Sequence, residues 1–334
     1  LDFAQRSGAR VMASPRAKGV FPEDHPQYLG VTGLGGDADV DDKLVADPPD
    51  YTLVLGTRMG ESTSFWAREL RPKIAFIHVD VNPQAFGAAY PDARTYGVEA
   101  DVGAFLASLG AAYREPSQTR ERAPRRPRPE APALRGEGPV RPQIVLDALQ
   151  RVVVEGSSAL LLAESGNSFC WATHLLRFRT PGRYRVSTGF GSMGHAATGV
   201  VGAALAREDK AVALLGDGAM LMQSEVHSAV QYGAKAVWVI LNDACYLMCE
   251  QGMKVLGWKP FGTRMHRVDF VALARALGAD GERVTSEAEV EGAMRRAMAS
   301  ERPFVLDIHT DPQEMAPSGK RHKNLMQQGH DSGH

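Results

Sequence analysis

The chain has 334 residues, 44% of them hydrophobic and 23% charged, with a formal net charge of −1. That length allows two domains and that composition belongs to a folded globular protein, while the balanced charge gives no global field for nucleic acid or a membrane surface. The three cysteines, Cys170, Cys245 and Cys249, make no disulfide framework and complete no zinc site, and no apolar run approaches about 18 residues, so a soluble protein of a reducing cytoplasm is expected.

The first region covers residues 1–113. Leu1–Ser7 reads as a helix, and an opening inside a helix, without Met, predicts that a larger polypeptide precedes it. Ala9–Ala13 reads as a strand, and the prolines of Phe21–Pro26 mark a loop. Thr52–Gly56 and Ile74–Val81 are short, nearly continuous apolar runs suited to buried parallel strands, and Asp101–Tyr113 is helical. Gly33, Gly35 and Gly36 read as a loop needing positive φ rather than as a cofactor turn. Strands alternating with helices imply α/β architecture.

Residues 114–139 form a linker with Pro116, Pro124, Pro127, Pro129 and Pro132, and with arginines at 114, 120, 122, 125, 126, 128 and 135. Such a stretch cannot bury a core and is expected to be an extended, solvated strap. Without aromatics or a basic domain beside it, nucleic-acid binding is not expected.

The second domain covers residues 140–312. Its expected elements are a helix over Pro142–Val153, a strand over Ala159–Ala163 ending at Glu164-Ser165-Gly166-Asn167-Ser168, and a helix over Phe169–Phe178. A turn at Gly189–Met193 and a small-residue helix over Gly194–Ala206 follow. Helices over Val268–Leu277 and Glu287–Ala299 and a last strand, Phe304–His309, close the domain. Residues 313–334 read as a polar tail, in which His322, His330 and His334 are too irregularly spaced to suggest a metal site.

The chemistry concentrates between Ala211 and Gln251. The apolar run Ala211–Leu215 breaks at Gly216-Asp217-Gly218, a helical pattern follows with Met220, Val226, Ala229 and Val230 on one face, and a second run, Val237–Leu241, ends at Asn242-Asp243. This is a βαβ unit, and in parallel sheets ligands sit outside the carboxyl ends of the strands. The glycines let backbone N–H groups approach a phosphate. A carboxylate beside a phosphate needs a hard cation between them, and Mg²⁺ is bound in this way. The pattern therefore predicts a Mg²⁺–diphosphate site. It leaves open an ordinary strand–turn–helix in which Asp217 caps the helix, and at the turn Ser165–Ser168 it leaves open capping by Asn167 or Ser168.

The GDG triplet, followed after twenty-odd residues by a polar pair, resembles the thiamine diphosphate (ThDP) motif of the acetolactate synthase and pyruvate decarboxylase family. The resemblance implies Mg²⁺ bound by Asp217, Asp243 and the carbonyl of Cys245. The family's usual Asn-Asn is Asn242-Asp243 here, so Asn242 is a rival ligand. It also implies cofactor contacts from Gly166, Asn167 and Ser168, near Trp171, and from Gly216, Gly218 and Ala219. Met193, in Gly191-Ser192-Met193-Gly194, matches the apolar wedge between the cofactor rings, and the Gly191 carbonyl matches the acceptor for the 4′-amino group. His195 reads as a structural residue at a helix N-terminus. Tyr246 is expected over the diphosphate, and Met248 and Gln251 match residues facing the substrate. Leu247 stands where the family carries Gly, and Gly252 where acetolactate synthases carry a Trp, which implies a roomier acceptor pocket.

The first region resembles the family's central, Rossmann-like domain through Lys18–Pro26, Leu29-Gly30, Leu55-Gly56-Thr57-Arg58 and His78–Pro83. Relatives begin this domain with a strand and a glycine-rich turn that are not found here. Some bind FAD in it; Arg58 matches an arginine near the flavin, but Met59-Gly60 replaces the acidic pair after it, so FAD is not expected. The resemblance thus implies two three-layer parallel-sheet α/β domains and decarboxylation of a pyruvate-like 2-oxo acid with carboligation to an acceptor carbonyl. Simple decarboxylation and a non-catalytic subunit are the alternatives. The glutamate that activates the cofactor belongs to a pyrimidine-binding domain that no segment here matches. No catalytic residue is therefore expected in this chain, little activity is expected from it alone, and a dimer or tetramer is expected.

Overall fold

The computed structural model describes residues 1–114 and 127–318, together with Arg321 and Met326. In the first region β1 (Val11–Ala13) pairs with β2 (Tyr28–Val31), while β3 (Tyr51–Leu55), β4 (Ala75–Asp80) and β5 (Thr95–Glu99) form a separate sheet in that order. All these pairings are parallel. Asp101 caps the helix Val102–Ala112 by accepting the Ala104 N–H at 2.9 Å.

The second region is one parallel sheet of β6 (Leu160–Ala163), β7 (Tyr184–Val186), β8 (Ala211–Gly216), β9 (Ala236–Asn242), β10 (Asp280–Val284) and β11 (Phe304–His309). The strands lie in the order β10-β11-β9-β8-β6-β7. Every residue of β9 is buried, and every residue of β8 except Gly216. Both faces are covered: Val212, Leu214, Val237 and Val239 point into one core with Phe169, Trp171 and Leu146, and Ala213, Leu215, Trp238 and Ile240 into the other with Ala197, Val200 and Phe270. This is why β8 and β9 read as continuous apolar runs rather than alternating ones.

The chain leaves β6 through the helix Asn167–Leu175 on the first face and reaches the outer strand β7. It returns through the helix His195–Arg207 on the opposite face to β8, on the other side of β6. The direction of winding therefore reverses between β6 and β8, and that crevice is where a doubly wound sheet binds its ligand.

Several expectations need correction. The helical pattern after Asp217 is two helices, Asp217–Met220 and Glu225–Gln231, with Leu221–Ser224 between them. Strands β2, β5, β7 and β10 were not legible as apolar runs. Gly33 and Gly35 have φ of 78° and 66°, but Gly36 does not share that conformation; its constraint is steric, since a Cβ would lie 2.4 Å from the Val31 carbonyl. The tail read from residue 313 begins as part of the domain, because Ala316 is buried in the first-face core and Glu314 bonds Gln143. The three tail histidines, and linker residues 115–126, lie outside the described residues.

The described end of the linker is tied down. Arg128 pairs with Asp147, Arg135 with Asp311 at 2.8 Å, and Arg135 and Arg141 converge on Glu287. The two regions also share buried polar contacts. Glu23 accepts from Lys18 Nζ at 3.0 Å and from the Phe178 N–H at 2.8 Å, and Asp37 pairs with Arg177 at 2.9 Å. Burial pushes the Lys18 ammonium down to about 8, against the pull of Glu23.

Candidate functional site

Register brings the two polar clusters together. Gly216 on β8 pairs with Leu241 on β9, so Asp217 and Asn242-Asp243 leave neighbouring strands at the same sheet edge. Asp217 is 3% exposed. Its Oδ1 accepts the Gly218 N–H at 2.7 Å, and the N–H groups of Ala244 and Cys245 also reach its carboxylate. Burial nevertheless holds the Asp217 carboxyl above the usual range. Asp243 is pushed up to about 8, first by burial and then by the charge of Asp217 beside it. Asp217 Oδ2 and Asp243 Oδ1 are both buried with no hydrogen-bond partner among the described residues. Two neighbouring buried carboxylates with unmatched oxygens are the chemistry a cation would satisfy.

Asn242 does not share that geometry. It is fully buried, its Nδ2 donates to Asp307 Oδ1 at 2.8 Å, and its Oδ1 accepts from Arg267 at 3.1 Å. Its amide is thus engaged on the β11 side. Cys245 is buried and its thiol donates to Glu250, so only its backbone is open to a metal role. Between Asp243 and Cys245, Ala244 holds φ 57°, a left-handed conformation that costs a non-glycine residue free energy and turns successive N–H groups toward Asp217. Among the described residues no three His, Cys, Asp or Glu side chains converge on one point. A cation here would complete its shell with backbone carbonyl, water and ligand oxygen, as Mg²⁺ does and structural zinc does not.

Two glycine turns flank the pair. Gly166 has φ 106° and a Cβ there would meet nothing within 4 Å; Gly216 is equally open. Gly191 and Gly194 have φ of 72° and 96°. Gly218 is different: a Cβ would lie 2.4 Å from the Tyr246 ring, so the tyrosine sits directly on this glycine. Ser168 bonds the Glu164 carbonyl at 2.9 Å and does not cap a free N–H. Asn167 bonds Gln251 at 3.1 Å. Ser192 and Met193 are exposed, and Phe190 is 95% exposed beside them. Ala219 and Leu247 are buried, Met248 packs partly against the first core, and Trp171 lies within that core.

Sequence reasoning missed Glu164. It is fully buried, its Oε2 accepts the N–H groups of Ala196 and Ala197 at 2.9 and 3.1 Å, and its Oε1 accepts that of Ser165. A carboxylate thus caps the helix His195–Arg207 and ties the Gly194 turn to the Ser165 turn. Ser165 Oγ adds a bond to the Gly191 carbonyl at 2.6 Å, which leaves that oxygen one further lone pair. A charged residue directly after a buried strand was the available signal. His195 is exposed at the first position of the helix that Glu164 caps.

Two open depressions of ≈ 480 and ≈ 670 Å³ lie elsewhere, lined by Lys210 and Lys235 and by Arg275 and Arg283. Their charges are largely paired, Lys235 with Glu301 and Arg283 with Asp269, and we assign the site to the strand ends instead. Among the described residues no helix is long and apolar enough to cross a membrane.

Two family models match the chain. Residues 1–109 match the central domain of thiamine pyrophosphate enzymes, and residues 164–308 match their C-terminal TPP-binding domain. A Mycobacterium tuberculosis protein named as an acetolactate synthase large subunit is 32% identical over 94% of this chain and 57% of its own length. One from Methanocaldococcus jannaschii, named a probable acetolactate synthase large subunit, is 28% identical over 93% and 55%. The chain therefore spans about half the length of the curated relatives it matches. The fold is shared with a ThDP-dependent 4-hydroxybenzoylformate decarboxylase of Rhodococcus jostii RHA1, with a TM-score of 0.72 at 23% identity over 93% of this chain and 57% of that one. With both domain models matched in order along one α/β chain, the protein belongs to the thiamine pyrophosphate enzymes, of which it carries the central and the C-terminal TPP-binding domains.

Proposed function

We propose that this chain binds Mg²⁺–ThDP at the carboxyl edge of its second sheet and takes part in decarboxylation of a pyruvate-like 2-oxo acid followed by carboligation. The observation that carries the reading is the pair of unmatched oxygens, Asp217 Oδ2 and Asp243 Oδ1, between open glycine turns. Asp217 and Asp243 would hold the cation with the Cys245 carbonyl, and the N–H groups of the Gly166 and Gly216–Ala219 turns would meet the diphosphate. ThDP, when bound, supplies the electron sink for losing CO₂ from a 2-oxo acid. This chain's residues bind and orient it: Gly191 offers its second lone pair to a donor, and exposed Met193 stands ready to wedge the rings. The acetolactate synthase names of the relatives favour carboligation. FAD is not part of the reading.

Activity further requires a carboxylate on a pyrimidine-binding domain, in cis or from a second subunit. The exposed apolar side chains around the turns, Phe190, Met193, Leu221 and Met222, favour such a covering surface and a homo-oligomer. The test is ThDP titration of the longest natural form of the chain, followed by tryptophan fluorescence with and without Mg²⁺, and then product analysis from pyruvate. Saturable, Mg²⁺-dependent binding with acetohydroxy acid as product is expected. Aldehyde alone as product would leave a simple decarboxylase, and no binding by a form containing the pyrimidine domain would leave a non-catalytic subunit.

A further inference from the structure

Gln251 matches a residue expected to face substrate, yet it is 3% exposed and its amide is engaged at both ends. Its Nε2 donates to the Glu314 carbonyl at 3.2 Å, and its Oε1 accepts from Asn167 Nδ2 at 3.1 Å. A backbone carbonyl can only accept, so Gln251 has one workable amide orientation. That orientation presents its oxygen to Asn167, which must answer with N–H. Asn167 Oδ1 is then left buried without a partner among the described residues.

The far end of this chain of bonds is anchored. The Glu314 carboxylate accepts from Gln143 at 2.9 Å, and the preceding turn is held by Asp311, whose N–H donates to the Val140 carbonyl at 2.9 Å and whose carboxylate pairs with Arg135. Ala316 closes the segment into the core. The segment Asp311–Ala316 is thus a fixed reference from which the orientation of Asn167 is read.

We infer that Gln251 is a positioning residue that fixes the orientation of the Asn167 amide at the proposed diphosphate turn, so that its buried, unmatched atom among the described residues is the acceptor Oδ1. The inference rests on the ThDP reading above. An ionised diphosphate carries acceptors only, so Asn167 Oδ1 is not its ligand; the backbone N–H groups of the turn are. The partner of Asn167 Oδ1 is a hydrogen-bond donor that arrives with the cofactor, either a water held by the cation or an N–H or O–H of the organic part.

The experiment is a double-mutant cycle in the longest natural form of the chain, with Asn167→Ala, Gln251→Met and both together, read as Mg²⁺–ThDP affinity. Each single change is expected to weaken binding about tenfold, the scale of one unmade buried hydrogen bond. The double variant is expected to be no weaker than Asn167→Ala, because Gln251 acts only through that side chain. Multiplying effects, or unchanged affinity in Gln251→Met, overturns the inference. Repeating the cycle with Mg²⁺ and inorganic pyrophosphate separates the two donors: the losses persist if the donor is a cation-bound water and vanish if it belongs to the organic part. A ligand-free readout distinguishes failure here from failure of the ThDP reading. The Asn167 side-chain amide is expected to be protected from solvent exchange in the parent and in Gln251→Glu, which keeps an acceptor toward it, but not in Gln251→Met. An unprotected amide in the parent sinks the inference whatever ThDP does.

Discussion

Glu287 and Asp217 are buried to the same degree, 3% exposed each, and they are opposites. Glu287 receives the N–H groups of Arg135 and Arg141 and two bonds from the Arg141 guanidinium; these outweigh burial and hold its carboxyl down to about 2. Glu250, on the helix Leu247–Val255, is of the same kind: burial works against its charge, but Lys254, Arg264, Cys245 and Thr263 together bring it to about 2. Asp217 and Asp243 leave neighbouring strands at the same sheet edge, each has one buried oxygen unmatched among the described residues, and both are shifted upward. Glu287 and Glu250 are satisfied from within the fold, whereas Asp217 and Asp243 each keep an oxygen that no described residue matches.

The largest effect is expected on the structural side. Glu287→Ala removes the partner on which the linker's arginines converge, and a loss of about 3 kcal/mol in stability is expected, at the lower end for a broken buried pair because both arginines can reach water. Chemical denaturation measures it, and ThDP affinity of the folded variant should be unchanged. Asp217→Asn should do the reverse. Mg²⁺-dependent ThDP binding is expected to fall at least about 100-fold while the metal-free protein keeps its stability, because a like-charge neighbour of Asp243 has been removed. Loss of stability without loss of binding would erase the distinction between the two classes.

Acidity sharpens the same contrast. The Asp243 carboxyl is raised in the folded state, to about 8, so its contribution to stability is present below the unfolded range and is lost as pH rises through 8. The Glu287 carboxyl is lowered to about 2, so its contribution is present above the unfolded range and is lost as pH falls toward 2. Melting without divalent cations should therefore decline toward alkaline pH in the parent and less so in Asp243→Asn. Cation affinity should move the other way and strengthen by up to about tenfold per pH unit below 8, because the ligand must first lose its proton. A flat Mg²⁺ affinity between pH 6 and pH 8 (roughly neutral conditions) would show that Asp243 is already ionised or is not a ligand.

Much of this was legible in the sequence, and what was not has a physical pattern. Strands β8, β9 and β11 announce themselves because both faces are covered and most of their positions are apolar. Strands β2, β5, β7 and β10 are only three to five residues long, and in β5 and β10 exposed polar residues hide the period. The Asp217–Asn242-Asp243 juxtaposition followed from parallel topology alone. The partners that decide states did not follow: Glu164 lies 32 residues from Ala196, Asp307 65 from Asn242 and Glu314 63 from Gln251, and chain distance carries no signal for a side-chain bond across the sheet edge. Gln251 was matched to a substrate-facing role by position, but its bonds to Asn167 and Glu314 place it beneath the turn.

The smallest prediction concerns the backbone between the two classes. Ala244 holds φ 57° although it has a Cβ, and it sits next to Asp243 and hands N–H groups to Asp217. Ala244→Gly removes a steric cost of about 1 kcal/mol for this conformation, but it also frees the unfolded chain by a comparable amount. Stability should therefore change by less than about 1 kcal/mol in either direction. Binding should respond more, because glycine also relaxes the folded loop that fixes Asp243 against Asp217. A two- to fivefold weaker Mg²⁺ affinity is expected, about 0.4–1 kcal/mol, without a matching change in melting. If affinity instead tracked stability, the left-handed alanine would be an ordinary turn residue, and the strain at the strand ends would have no part in holding the carboxylate pair open for a cation.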